Sequence, residues 1–258
     1  METTRLLVLA LLLAVPAGAT TNSDYRWEGP VTGKRVIEIR NINGPIHAVP
    51  SKDGRLEVVA IRTSRHDDPA EVKIESFVDG DHLVFCSVYP AKAGNPENTC
   101  DSRGSHNSST SDVQVEYRVK VPAGVRFDAH TVNGDVDVDG LAGPVDAKTV
   151  NGEIKVSTAS WAEAATVNGS VNVAMSGRGW PDALDFKTVN GDIVLNLEGA
   201  PDADLVAETM HGAIDSEFPL EVTGRVRRNR LAGTLGKGGT DLALATLNGS
   251  IELRRASR

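Results

Sequence analysis

The sequence predicts an all-β protein built as a parallel β-helix, also called a β-solenoid. Three observations support this fold class. A phrase of the form Thr-Val-Asn-Gly recurs through the second half of the chain, and a fixed repeat is typical of stacked structural units. Apolar and polar residues alternate around each copy, which indicates strands with one buried face. No segment of helical length has the apolar spacing of an amphipathic helix.

The chain begins with a segment that is typical of a secretory signal peptide. An apolar run over residues 6–15 ends in small residues of the Ala-x-Ala type, so cleavage is predicted after Ala19. The run is too short to span a bilayer, and no later segment reaches the ~20 apolar residues of a transmembrane helix. We therefore expect an exported mature protein, in the periplasm or at the cell surface. An uncleaved anchor is the alternative, because Glu2 offsets the charge of Arg5.

Residues 20–122 are predicted to form an irregular N-terminal β region. A hairpin is expected around Asp79-Gly80-Asp81, where two apolar-alternating segments flank the turn residues. Three further segments have strand patterns, at residues 36–39, 56–61 and 113–121. We expect this region to be continuous with the repeats and to cap the N-terminal end of the solenoid.

The two cysteines lie in this N-terminal region. Export would place Cys86 and Cys100 in an oxidising compartment, where paired cysteines normally form a disulfide. The C-x-x-C spacing of redox motifs is absent, and no histidine neighbours either cysteine. A structural disulfide around a turn-rich loop is therefore predicted.

Residues 123–258 contain the regular repeats. Most copies of the phrase are between 17 (166−149) and 22 (188−166) residues apart, and the last step is 37 (246−209). The long step suggests a degenerate copy around residues 231–237. Asn-Gly also favours type I′ hairpins, so an antiparallel meander is the alternative architecture. A parallel stack is favoured because equivalent Asn side chains can then hydrogen-bond along a ladder.

The predicted ladder occupies one position in each copy of the phrase, and His211 stands where the other copies have Asn. Its members are Asn43, Asn133, Asn151, Asn168, Asn190, His211 and Asn248.

The order of these segments resembles a bacterial family of adhesin-like proteins of unknown function that contains β-strand repeats. The resemblance is carried by the motif at residues 41–46, by the strand and turn at residues 119–125, and by the serial Thr-Val-Asn-Gly phrases, and it covers residues 26–253. It implies a parallel β-helix and a cell-envelope location, and similar proteins make a right-handed coil the expectation. The family offers no catalytic residues to transfer to this chain.

One local motif is close to a calcium-binding loop. Asp135, Asp137 and Asp139 alternate before a glycine, and Asp146 lies at position twelve, as in a D-x-D-x-D-G loop whose oxygen atoms surround a hard cation. The twelfth residue is not Glu, a proline lies inside the loop, and the flanks look like strands. The alternative is a row of carboxylates that point outward from one strand.

The composition limits the classes of function. The 258 residues include 27 Lys or Arg and 35 Asp or Glu, with a net charge of −8 and 4% aromatic residues. This acidic balance argues against a nucleic-acid partner, because phosphate binding needs clustered cations. Few aromatic residues are available for stacking against bases or sugars.

We expect a non-enzymatic, adhesin-like protein that contacts an unknown envelope or surface partner, either a glycan or a protein. No cofactor is expected unless the aspartate motif binds calcium. The outward repeat positions mix charged and small residues, as a solvated face does. A carbohydrate-active or cation-dependent enzyme on the same scaffold is the first alternative. A structural or stress-associated envelope protein without a ligand is the second.

Overall fold

A computed structural model describes residues 20–31, 35–94, 98–100, 111–176, 178, 180–199, 201–222 and 229–256. These residues form an all-β structure whose helical content is one 3-10 turn at Pro69–Glu71. Within the described ranges, no helix has the length and apolar character needed to cross a membrane. The predicted signal peptide at residues 1–19 lies outside the described residues.

The described part of the chain contains twenty-one strands. The N-terminal region contributes β1 (Thr20–Gly29), β2 (Val36–Arg40), β3 (Ile46–Pro50), β4 (Leu56–Ser64), β5 (Lys73–Asp79), β6 (His82–Val88) and β7 (Gln114–Val121). The repeat region contributes β8 (Arg126–His130), β9 (Val136–Leu141), β10 (Val145–Lys148), β11 (Ile154–Thr158), β12 (Ala162–Ala165), β13 (Val171–Ser176), β14 (Leu184–Lys187), β15 (Ile193–Glu198), β16 (Ala203–His211), β17 (Ile214–Ser216), β18 (Leu220–Val222), β19 (Arg230–Leu235), β20 (Thr240–Asn248) and β21 (Ile251–Arg255).

The strands form two large sheets. Sheet A has ten strands in the order β1-β4-β7-β3-β9-β11-β13-β15-β21-β17, and sheet B has eleven in the order β18-β19-β16-β20-β14-β12-β10-β8-β2-β6-β5. The central pairs in both sheets are parallel. The chain alternates between the two sheets, and we call the turn from a strand of sheet B to the next strand of sheet A a corner. The strand of sheet B, its corner and the following strand of sheet A together form a unit that we call a coil. The predicted β-solenoid is confirmed, and the alternative of an antiparallel meander is wrong for the repeats.

Equivalent residues of adjacent coils lie side by side and build one core. In sheet A, Ile154 pairs with Val136 on one side and Val171 on the other. In sheet B, Val145 pairs with Phe127 and Ala162. All of these inward side chains are buried and belong to a single hydrophobic cluster. Each buried Val or Ile contributes about 1.5–3 kcal/mol relative to an exposed side chain, so the inward rows hold the two sheets together.

Two coils lie out of sequence order. The coil β2–β3 lies between β6–β7 and β8–β9, and the coil β20–β21 lies between β14–β15 and β16–β17. The long step between the last two corner phrases arises because the additional strands β18 and β19 lie between them in the chain. The predicted degenerate copy at residues 231–237 is wrong, because that segment contains β19, which pairs antiparallel with β16.

Antiparallel strands occur at both ends of the solenoid. At the N-terminal end, β4 pairs antiparallel with β7 and with β1, and β5 and β6 form the hairpin predicted around Asp79-Gly80-Asp81. Residues 20–122 thus contribute strands to the same two sheets as the repeats. At the C-terminal end, β19 pairs antiparallel with both β16 and β18.

The corner glycines are required because adjacent coils approach each other closely. A β-carbon placed on Gly152 would overlap the carbonyl group of Gly134 in the neighbouring coil. Hydrogen bonds enforce this approach, since the Gly134 N–H donates to Asn151 O in the corner of Gly152 at 2.9 Å. The same overlap with a corner glycine of the neighbouring coil occurs at Gly134, Gly169, Gly191, Gly212 and Gly249.

The corner threonines form a buried row of hydrogen bonds that the sequence analysis did not anticipate. The Thr149 hydroxyl donates to Gly134 O at 2.9 Å, and the Thr166 hydroxyl donates to Gly152 O at 3.1 Å. Equivalent bonds to the glycine carbonyl of a neighbouring coil are made by Thr131, Thr188, Thr209 and Thr246. These six residues are between 2% and 6% exposed. Because a buried carbonyl without a donor is costly, the threonine is part of the stacking device.

The asparagines of the corner form a second, exposed row. The Asn151 amide donates to the side-chain oxygen of Asn133 at 2.9 Å, and the Asn168 amide donates to Asn151 at 2.8 Å. Asn190 donates to Asn168 at 2.7 Å, and Asn248 donates to Asn190 at 2.8 Å. The Asn side chains therefore link five coils through one continuous hydrogen-bonded chain.

The other two predicted ladder positions lie at the ends of this row. Asn43 forms a backbone bridge with Asn133, and its side-chain amide donates to Val113 O at 3.0 Å. His211 pairs in register with Asn248. All seven predicted positions thus fall on one line along the corner.

We expect substitutions at one corner to destabilise the fold more when the replaced group is more tightly enclosed. Gly169→Ala should destabilise the fold by about 3 kcal/mol, because its β-carbon has no space. Thr166→Val should cost about 1 kcal/mol through a lost buried hydrogen bond, and Asn168→Ala about 0.5 kcal/mol, since its bonds are exposed. Thermal and urea unfolding of each variant measures this order. Lys155→Ala, in the adjacent strand, is the neutral control, and a wild-type midpoint for Gly169→Ala would contradict the close-approach argument.

Candidate functional site

The four predicted calcium ligands are not brought together. Asp135 precedes β9, and Asp137 and Asp139 lie within it in sheet A, whereas Asp146 lies in β10 of sheet B. Between Asp139 and Asp146 the chain crosses from sheet A to sheet B, whereas the ligands of a calcium-binding loop lie within one loop. One side-chain oxygen of Asp135 accepts a hydrogen bond from the Glu153 N–H at 2.8 Å. This hydrogen bond joins two adjacent coils. Across the described ranges, no group of three or more His, Cys, Asp or Glu side chains is arranged to hold a metal ion.

Asp146 belongs to a row of carboxylates on the outer face of sheet B. The strand register aligns Glu38, Asp128, Asp146, Glu163 and Asp185 on five neighbouring strands. Directly opposed like charges destabilise a sheet, so this row requires cations. Four of them come from the aligned positions two residues later, at Arg40, His130, Lys148 and Lys187. Arg126, two residues before Asp128, is a fifth.

Three carboxylates of the row are buried and paired with cations. Glu38 accepts from Arg40 at 2.6 Å and lies 2.8 Å from the His82 ring. Asp128 accepts from Arg126 at 2.8 Å. Lys148 lies 2.7 Å from Asp146. We call these side chains, together with His130, the ion cluster.

His130 lies between two of these carboxylates. Its ring nitrogens are 3.6 Å from Glu38 and 3.9 Å from Asp146. Burial alone would lower the pKa of His130, but the two carboxylates outweigh burial and raise the pKa to about 9. Burial alone would raise the pKa of Glu38, but His130 and Arg40 hold that pKa well below its ordinary value. At neutral pH the cluster is therefore a set of mutually neutralising charges, which is typical of a structural network.

The predicted disulfide is present beside the ion cluster. Cys86 in β6 is bonded to Cys100, with their Cα atoms 6.1 Å apart. Both cysteines are buried and pack with Val84 in a small apolar cluster separate from the main core. The Arg40 guanidinium donates to Cys100 O at 2.9 Å. The disulfide thus holds the chain that follows β6 against the edge of the ion cluster.

A different region has the geometry of a binding surface. Two adjoining cavities of about 510 and 380 Å³ lie at the N-terminal end of sheet A, and both are lined by Val49, Glu57 and Lys120. We call them the N-terminal depression. Its charged lining comprises five Lys or Arg and three Asp or Glu side chains: Arg26, Lys52, Arg55, Arg118 and Lys120, with Glu28, Asp53 and Glu57.

Two of the three carboxylates of the depression are held by its cations. Glu57 lies 3.1 Å from Arg26 and 2.8 Å from Lys120. Glu28 lies 2.9 Å from Arg55. The depression as a whole carries more positive than negative groups, in a protein with a net charge of −8.

Sequence patterns alone do not reveal this depression. The alternation of Glu57 and Val59 in β4, and of Arg118 and Lys120 in β7, places these side chains on outer faces, and Arg55 directly precedes β4. The two strands are far apart in the chain, however, and only their antiparallel register makes the residues neighbours. The cationic residues at outward positions of two strands were the only sequence feature that pointed to the depression.

A third cavity, of about 560 Å³, lies beside the first corner and is lined by Asn43, His66 and Asp112 among others. Asp112 accepts the backbone N–H groups of His66 at 3.0 Å and Asp67 at 3.1 Å. Its carboxylate therefore fastens the segment before β7 to the turn that follows β4.

The raised pKa of His130 predicts how stability depends on pH. A histidine with a folded-state pKa of about 9 contributes its full stabilisation below its ordinary value of 6.5 and loses it as the pH rises through 9. His130→Gln should therefore lower the unfolding midpoint most near pH 6 and least near pH 10. Glu38 acts oppositely, because its stabilisation is lost as the pH falls through acidic values.

Thermal unfolding of wild type and His130→Gln between pH 5 and 10 tests this expectation. Asn168→Ala, in the exposed Asn row, removes no titratable group, so it is the control and should shift the midpoint equally at every pH. An NMR titration midpoint for the His130 ring near 6.5 would contradict the ion-cluster interpretation.

Several solved structures resemble this chain. A candidate cell adhesion protein from Clostridium sporogenes ATCC 15579 is 12% identical, with 91% of this chain and 100% of that chain covered and a TM-score of 0.47. A candidate adhesin from Bacteroides fragilis NCTC 9343 is 10% identical, with 91% and 97% covered and a TM-score of 0.33. A candidate adhesin from Parabacteroides distasonis ATCC 8503 is 12% identical, with 90% and 97% covered and a TM-score of 0.30.

A comparison with curated proteins found no significant match. The sequence profile of the Toastrack DUF4097 family matches residues 102–254. This match spans more than half of the chain, and the protein therefore belongs to the Toastrack DUF4097 family.

Proposed function

We propose that this protein is an exported, non-enzymatic interaction protein of the cell envelope or surface, and that it binds an anionic glycan in the N-terminal depression. One observation carries the proposal: five Lys or Arg side chains face three Asp or Glu side chains there, in a chain that is otherwise acidic. The adhesin-like names of the structural neighbours agree with a surface role.

The chemistry of the depression suits a sugar polymer with carboxylate or sulfate groups. Arginine presents a planar fork of donors that binds such groups in a bidentate manner. Val49 is 43% exposed beside Lys120 and offers apolar contact to the face of a sugar ring. The cavity volumes lie within the range of about 300–1,000 Å³ that is usual for ligand sites.

The paired carboxylates favour binding over hydrolysis. Glycoside hydrolysis needs two carboxyl groups that flank the scissile bond and exchange protons with it. Glu28 and Glu57 in the depression are each held by a cation, and so are Glu38, Asp128 and Asp146 in the ion cluster. This pairing supports a non-enzymatic role.

Binding of the mature, disulfide-bonded protein to immobilised acidic polysaccharides tests the proposal. We expect saturable binding to polyuronate or heparin, none to neutral dextran, and weaker binding at higher salt, because exposed charges are screened. Lys52→Glu combined with Arg118→Glu should reduce the affinity at least about tenfold, since it reverses two cations of the depression.

A matched control is available in the same chain. Lys155→Glu combined with Lys237→Glu changes the net charge equally, at exposed positions outside the depression, and should leave binding unchanged. Equal losses in both variants would contradict a site in the depression. Release of new reducing ends from the polysaccharide would support the enzyme alternative, and no binding to any polymer would support a structural protein without a ligand.

A further inference from the structure

Every Asn-Gly pair of the chain lies at a corner. Asparagine is a chemically labile residue. A following glycine makes it more labile, because glycine has no side chain to hinder attack by its own backbone nitrogen. The corner pairs are therefore the positions where loss of a side-chain amide, or deamidation, is expected first. The six pairs begin at Asn43, Asn133, Asn151, Asn168, Asn190 and Asn248.

Deamidation at such a pair has a defined chemical course. The glycine nitrogen loses its proton to water and forms a bond to the side-chain carbonyl carbon of the asparagine. The bond from that carbon to the amide nitrogen breaks, and the nitrogen takes up a proton and leaves as ammonia. Water then opens the cyclic imide to give aspartate or isoaspartate. The reaction requires a glycine N–H that is not held in a hydrogen bond.

The stack holds the glycine N–H of all six pairs. The Gly134 N–H donates to Asn151 O at 2.9 Å, and the Gly249 N–H donates to His211 O at 3.0 Å. These glycines are buried or half-buried. The same bond to the corner of the next coil is made by Gly44, Gly152, Gly169 and Gly191.

The asparagine side chains themselves are open to water. Asn43 is half-buried, and the other five are exposed. Six apolar residues that precede a corner Asn or His are also at least 37% exposed, from Val132 to Met210 in the order of the coils. Burial therefore does not protect the amide groups, and the hydrogen bond of each glycine N–H is the protecting feature.

The last corner of the stack lacks this protection. All six glycine N–H groups donate toward the C-terminal end, where β16–β17 is the last coil. Its corner glycine, Gly212, is exposed, and among the described residues none accepts a hydrogen bond from the Gly212 N–H. The residue before it is His211, which has no amide to lose. Within the predicted ladder, the position next to an unprotected glycine is thus the one that is not asparagine.

Deamidation at a corner would weaken the stack. The Asn168 amide donates to Asn151, and a carboxylate at that position has no proton to donate. Isoaspartate also adds a methylene group to the backbone, at corners where adjacent coils leave no space for a β-carbon. An intact amide at each corner is therefore a condition for close stacking.

We propose that the stacking of coils masks six deamidation sites, that His211 keeps a reactive pair out of the unprotected last corner, and that Asn248 is the first site modified in the folded protein. Gly249 is protected by the last coil alone, whose strand β17 has three residues and lies at the edge of sheet A. Terminal elements open more readily than interior ones. This inference is independent of the proposed function, because it does not involve the N-terminal depression.

Incubation of the mature, disulfide-bonded protein at mildly alkaline pH tests the masking. Peptide mapping by mass spectrometry measures the rate at each pair, and protein unfolded in guanidinium gives the unprotected rates. Asn151 and Asn168 should react at least about a hundredfold more slowly in the folded protein, and Asn248 should react faster than both, since local opening limits the rate. Hydrogen exchange should follow the same order, with Gly212 fastest and Gly249 next.

Variants of the last coil separate protection by stacking from local sequence. In His211→Asn, position 211 should deamidate at least about tenfold faster than Asn168 of the same molecule, because its glycine N–H is unprotected. His211→Gln is the matched control. Its longer side chain disfavours the five-membered imide, so position 211 should keep its amide, and the rate at Asn248 should not change.

A second variant keeps the native corner. Ile214 in β17 is half-buried and packs against the core. Ile214→Ala should loosen the last coil and accelerate deamidation at Asn248 without accelerating it at Asn151. Circular dichroism verifies that each variant is folded.

Three results would overturn the proposal. Equal rates at Asn151 in folded and unfolded protein would show that stacking does not mask the pairs. An amide at position 211 of His211→Asn that persists as long as that of Asn168 would remove the role given to the last corner. A rate at Asn248 no greater than that at Asn168 would contradict the proposed order.

Discussion

Adjacent coils meet at the Asn-Gly corner so closely that no β-carbon fits between their glycines. This approach lets the backbone of one corner donate directly to the backbone of the next, and it leaves each glycine carbonyl to be bound by a buried threonine hydroxyl. Because the corners stack without offset, the strands that follow them start in register. The core rows, the exposed Asn row and the charged outer rows all depend on that alignment.

Stacking without offset has an electrostatic consequence. Any residue type that recurs at one position of the repeat is placed beside its equivalents at strand spacing, and like charges then lie next to each other. On sheet B this brings Glu38, Asp128 and Asp146 together, and the aligned cations beside them make the arrangement stable. The raised pKa of His130 and the lowered pKa of Glu38 are both results of this geometry.

The same alignment produces surfaces from residues that are ordinary when taken one at a time. A single exposed valine has no significance, but six apolar residues on adjacent coils form a continuous row. The N-terminal depression differs, because it depends on the antiparallel pairing of β4 and β7 at the end of the solenoid. The regular coils thus offer linear surfaces, whereas the irregular end offers a concave one.

Local patterns were sufficient to predict the parallel stack, the line of Asn positions, the hairpin at Gly80 and the pairing of Cys86 with Cys100. Each of these rests on residues within one coil or on the repetition of a phrase, and both are visible in the sequence. The tertiary structure decided four other features. These are the separation of Asp146 from Asp135, the placement of β19 outside the repeats, the two coils out of order and the N-terminal depression. The physical reason is that a coil specifies its own corner and buried face, whereas its neighbours are chosen by contacts between distant parts of the chain.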